Sequence, residues 1–152
     1  MNAAVQINPK KRQQAYQLIT ELQNERQAVW SLYCHVAELM PFSANQAVRK
    51  KLAKFSEILI DYISLGHFGV YERLLADAER PDPVLSVAKE IYPELSATTE
   101  AAVSFNDKYE KGKGKNIPGD LKQDLSTLGE SLAKRIDLED RLCALMLHNV
   151  MF

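Results

Sequence analysis

The sequence predicts an all-α protein, an antiparallel up-down bundle of four main helices with a short extra helix. Three observations carry this. Apolar residues recur at helical spacing along most of the chain, no stretch alternates convincingly with period two, and prolines and capping residues fall between the periodic segments. Long amphipathic helices joined by short turns must bury their apolar stripes against one another, and an antiparallel bundle does this.

The first helix begins where Asn8 can cap and Pro9 suits the first helical position. Its stripe is Tyr16, Ile19, Leu22, Val29, Leu32, Tyr33, Val36 and Leu39. Pro41 closes it, because proline disfavours helix in the residue before it. The second helix starts at Ser43, where "SANQ" has the capping-box spacing to Gln46, and runs without proline to about Glu79. "RPDPVLS" is a turn, with Asp82 as cap and Pro83 at the first helical position. Pro93 lacks an amide hydrogen and crowds the preceding turn, so a short helix from Pro83 and a longer one from about Pro93 to Lys111 are expected. "KGKGKNIPGD", from Lys111, reads as a solvated linker. The last helix, Pro118 to about Asn149, carries Leu121, Leu125, Leu128, Leu132, Ile136, Leu142, Leu145 and Met146.

At 152 residues the chain has the length of one ordinary domain and can bury a sizeable core. Hydrophobic residues make up 46% and charged residues 26%, and 19 Lys plus Arg against 20 Asp plus Glu leave a net charge of -1. No global basic excess asks for nucleic acid. No apolar run approaches the roughly 20 residues of a membrane helix, and the N-terminus lacks the apolar core of a signal peptide. Cys34 and Cys143 lack metal spacing and are expected as buried free thiols, which suits a reducing cytosol.

"DYISLGHFGVYERLL", from Asp61 to Leu75, is the most particular stretch. On a helical wheel Gly66 falls on the buried stripe with Leu52, Phe55, Leu59, Tyr62, Ile63, Val70 and Leu74, and Gly69 lies nearby. Both read as notches that let a neighbouring helix approach, the alternative being a hinge. The outward sector holds Glu57, Asp61, Ser64, Phe68, Glu72 and Leu75, with Leu65 and Tyr71 at its margins. Aromatics ringed by acids are an interface composition, so either another element of the fold or a partner covers this face. His67 falls between the faces, where a hydrogen-bonded structural role is the ordinary one.

The last helix places Arg135 and Glu139 four apart, close to its apolar stripe, while Asp137 and Asp140 point elsewhere. Arg26 lies near the apolar side of the first helix. These charges are either exposed i,i+4 pairs or a partly buried network of Arg26, Glu139, Arg135 and His67 that would fix bundle register. No histidine follows a glutamate by three residues, as a di-metal bundle needs. "GKGK" lacks the ending and the preceding strand of a phosphate loop. No metal, cofactor or catalytic constellation is expected, and a binding module is favoured over an enzyme.

"LIDYISLGHFGVYERLL" and "LSTLGESLAKRIDLEDRL" resemble the two signature helices of the Rsd/AlgQ family of anti-sigma factors, and "ERQAVWSLY", with Arg26 and Tyr33, resembles the family's first helix. "IYPEL" is similar to its helix restart. Leu22 stands where the family carries a tryptophan. The resemblance spans nearly the whole chain and implies one anti-sigma domain over residues 1–152. It implies an all-helical bundle that binds the housekeeping sigma factor, mainly the C-terminal promoter-recognition domain, and blocks its use by core polymerase as growth slows; composition points to the cytoplasm, and the oligomeric state is open, with a monomer favoured. No direct nucleic-acid or membrane contact is implied. On this reading Glu57, Asp61, Ser64, Phe68, Tyr71, Glu72 and Leu75 are the partner-binding set. The alternatives are a paralogue with another protein partner and a metal-binding bundle.

Overall fold

The computed structural model describes residues 9–39, 46–66, 83–110 and 121–151. They form four helices: α1 (Pro9–Ala37), α2 (Gln46–Ser64), α3 (Pro83–Glu110) and α4 (Leu121–Met151). No strand occurs among the described residues. Each helix packs on its neighbour in sequence, and α1 also packs on α4, so the four close into a ring around one core.

Contacts between helices fix their directions. Tyr33 of α1 meets Leu125 of α4, whereas Arg26 meets Asp140. Lys108 of α3 meets Asp124, whereas Glu90 meets Arg141. Rising numbers in one helix thus face falling numbers in the next, the antiparallel order. The buried stripes are those that helical spacing predicts: Ile19, Leu22, Val29 and Val36; Leu52, Phe55, Leu59, Tyr62 and Ile63; Leu121, Leu125, Leu128, Leu132 and Leu142. α3 contributes Ala88, Ile91, Leu95, Ala102 and Phe105. One end of the bundle is aromatic. Trp30, Tyr33, Phe55, Phe105 and Tyr109 follow one another in ring contact at centroid distances of 4.6 to 6.1 Å. Three of these four pairs meet edge-on, which favours one arrangement of the rings over simple apolar filling.

Four expectations change. The helix from Pro83 does not stop at Pro93 but continues to Glu110. Pro93 is exposed, so the Lys89 carbonyl that loses its donor lies on the solvent side, and the apolar stripe on the other face holds the helix together. Tyr16 is 40% exposed rather than buried, one turn before the core begins at Ile19. Cys34 is exposed, because it stands two residues before Val36 and therefore on the far side of α1. Cys143 is buried as expected, and burial pushes its thiol up to about 11. Last, Asp140 does not point away from the charged cluster, but pairs with Arg26 at 2.7 Å. Those parts of the second and last helices expected at 67–79 and 118–120, and Gly69, lie outside the described residues.

Candidate functional site

Two features could carry function: a polar cluster buried between the helices and the outward face of α2. The cluster is built around Glu139. Arg135, one turn earlier on α4, donates through Nε to Glu139 Oε2 at 3.0 Å, and the two side chains are 1% and 6% exposed. Tyr62 of α2 donates its hydroxyl to Glu139 Oε1. Arg26 of α1 lies 3.8 Å from the same oxygen. Arg135 Nη1 donates to Thr98 and Thr99 of α3 at 3.1 and 2.8 Å. One buried ion pair therefore ties all four helices together. Burial raises the Glu139 carboxyl above its ordinary range, against the opposing pull of Arg135, Tyr62 and Arg26. Burial raises the Tyr62 phenol as well, and the Glu139 charge adds to it.

Gly66 is the notch the wheel implies, and what fills it is this cluster rather than a neighbouring backbone. A methyl group on Gly66 would stand 3.0 Å from Arg135 Nη2 and 3.2 Å from Glu139 Oε2. Leu65 and Gly66 adopt a π-helical turn, and a small cavity beside them is lined by Leu22, Gly66, Leu95, Arg135, Glu139, Leu142 and Cys143. A second glycine works in the same way at the other end of the bundle. Gly129 accepts the Tyr33 ring against its Cα, and the Tyr33 hydroxyl donates to the Leu125 carbonyl at 2.7 Å. Arg26, Arg135 and Glu139 are thus brought together, whereas His67 lies outside the described residues. Tyr62, Thr98 and Thr99 are members that spacing alone did not single out. A tyrosine on an apolar stripe was the available signal, since a buried phenol needs an acceptor.

On the outward face of α2, Glu57, Asp61 and Ser64 are exposed. Phe68, Tyr71, Glu72 and Leu75 lie outside the described residues. Glu25 of α1 adjoins this face. Burial raises its carboxyl, and the charges of Asp61 and Glu21 raise it further. No group of three metal-ligating side chains occurs among the described residues, and no helix there is long and apolar enough to cross a membrane.

Residues 1–147 match the family described as regulator of RNA polymerase sigma(70) subunit, Rsd/AlgQ. The chain belongs to the Rsd/AlgQ family. That family is one of regulators and not of enzymes. Among its members, the regulator of sigma D of Enterobacter sp. (strain 638) is 40% identical over 101 residues, 66% of this chain and 61% of that protein. The regulator of sigma D of Yersinia enterocolitica is 31% identical over 135 residues, 83% of this chain and 78% of that protein. The match thus spans less than two thirds of the Enterobacter protein's length. No solved structure matches the chain.

Proposed function

We propose that this Rsd/AlgQ protein binds the housekeeping sigma factor in the cytoplasm, mainly through the sigma C-terminal promoter-recognition domain, and withholds it from core RNA polymerase. Membership of a family of sigma(70) regulators is the observation that carries this. Alternative sigma factors then gain access to the polymerase, an effect suited to slowing growth. The mechanism is steric occlusion by a monomer, with no covalent step and no cofactor.

The contact surface in this proposal is the outward face of α2, with Glu57, Asp61 and Ser64, continued in sequence by Phe68, Tyr71, Glu72 and Leu75. A promoter-reading domain must carry basic residues to contact phosphate. Exposed carboxylates offer complementary charge, which steers encounter and sets orientation, while aromatic and aliphatic residues supply the desolvated centre where affinity concentrates. The buried cluster has a different part: it fixes the register of α2 against the other helices and so presents this face. The proposal is tested by titrating the protein with full-length sigma factor. Asp61→Arg is expected to weaken binding at least tenfold with the helical content unchanged, because a like charge then faces the partner. Unchanged affinity would remove this face from the mechanism.

A further inference from the structure

We infer that the recognition face of α2 has two poles, and that its second pole, Lys50 and Lys54, takes an acidic segment of the same partner whose basic surface meets Glu57 and Asp61. The inference rests on the sigma-binding reading above. It adds a second class of contact and a polarity to the partner.

Lys50, Lys54, Glu57, Asp61 and Ser64 follow one another at spacings of four, three, four and three. They therefore form a single ridge along the outward side of α2, and all five are exposed. Along this ridge the charge is segregated. Residues 46–54 contain Arg49, Lys50, Lys51 and Lys54 and no acid, while residues 55–64 contain Glu57 and Asp61 and no base. Lys50 and Asp61 stand roughly 16 Å apart along the axis, at about 1.5 Å per residue.

This order works against the helix itself. The first turn of a helix favours acids and disfavours cations, yet the first turn of α2 holds Arg49 and no acidic residue. Sequences break such local rules chiefly where function requires it. Internal pairing does not absorb the charge either. Lys54 Nζ and Glu57 Oε2 are 3.9 Å apart with side chains 59% and 66% exposed, a pair that contributes little.

α1 enlarges the negative pole. Glu25 stands beside Asp61, and its Oε2 atom is buried and accepts no hydrogen bond. Ile58 and Leu65, both half-buried, flank the ridge and supply apolar contact. A uniformly basic surface would be repelled by Lys50 and Lys54, and a uniformly acidic one by Glu57 and Asp61. Nucleic acid, with its unbroken negative charge, fits only half of the ridge. A protein surface of opposed polarity fits all of it.

The test is calorimetric titration of the full chain with full-length sigma factor at low and high salt, comparing wild type, Lys50→Glu/Lys54→Glu and Asp61→Arg. The lysine variant is expected to bind at least tenfold more weakly at low salt, with the gap narrowing at high salt. Its melting temperature should stay close to that of wild type, because both substituted side chains are exposed. Lys50→Gln/Lys54→Gln should show a smaller loss in the same direction. Wild-type affinity in the lysine variants beside weakened binding by Asp61→Arg would overturn the second pole and leave the sigma-binding face standing. Unchanged affinity in both would overturn the face and the pole together, as would failure of the wild type to bind sigma. Loss of binding to a duplex oligonucleotide without loss of sigma binding would assign the lysines to nucleic acid and also overturn the inference.

Discussion

Removing the Glu139 carboxylate is the perturbation whose size follows most directly from the fold. In Glu139→Ala, Arg135 keeps its charge at 1% exposure but loses its only described carboxylate partner, retaining the hydroxyls of Thr98 and Thr99. The Tyr62 hydroxyl loses its acceptor as well. Breaking a buried pair from one side costs about 3–5 kcal/mol, because the remaining charge stays desolvated. For a chain of this length, 1 kcal/mol moves the melting temperature by about 2–4 °C, so a fall of roughly 6–20 °C is expected. Urea unfolding followed by circular dichroism gives the free energy, and a thermal scan gives the shift. The double variant Arg135→Met/Glu139→Leu removes both charges and retains volume, so it should recover part of the loss, the Tyr62 hydroxyl still lacking its acceptor. A loss below about 1 kcal/mol in Glu139→Ala, the worth of an exposed ion pair, would refute the reasoning. So would a double variant no better than the single.

Gly66→Ala should lower stability although alanine is the better helix former by about 1 kcal/mol, because its methyl would press on Arg135 and Glu139; chemical denaturation reads the sign. Gly129→Ala should cost about 1–3 kcal/mol by crowding the Tyr33 hydroxyl, and Tyr33→Phe in the same chain should return part of it, a pattern that a thermal double-mutant cycle exposes. The raised Glu25 carboxyl makes a pH prediction. A carboxyl whose folded pKa lies above its unfolded value binds its proton more tightly in the folded chain. Its stabilisation is therefore complete below the unfolded pKa and lost as pH rises through the folded one. Glu25→Gln should accordingly raise the melting temperature at neutral pH and change it little near pH 4, and thermal scans at the two pH values check this.

Most of the fold was legible because burial imposes a period. The stripes on α1, α2 and α4 could be read from spacing, and Gly66 could be placed on a buried side of α2 without knowing what lay opposite. The pairing of Arg135 with Glu139 was also legible, since both lie on one helix four residues apart. What escaped depends on register between helices, which no single-helix pattern encodes. The pattern of α4 alone points Asp140 outward, yet Arg26 reaches it from α1. Thr98 and Thr99 enter the cluster only because α3 runs antiparallel beside α4. Local propensity at Pro93 favours a break, but its solvent-facing position leaves the interrupted hydrogen bond outside the core. The exposed acids of α2 were legible as an outward sector, but a sector does not name its partner.

The most direct measurement is the affinity of the full chain for the housekeeping sigma factor, with the isolated sigma C-terminal domain as competitor, for wild type and Asp61→Arg. The expected result is a one-to-one complex that the C-terminal domain displaces and that Asp61→Arg weakens at least tenfold while the bundle stays folded. A wild-type protein that leaves sigma unbound, or a complex indifferent to both the competitor and Asp61→Arg, would contradict it.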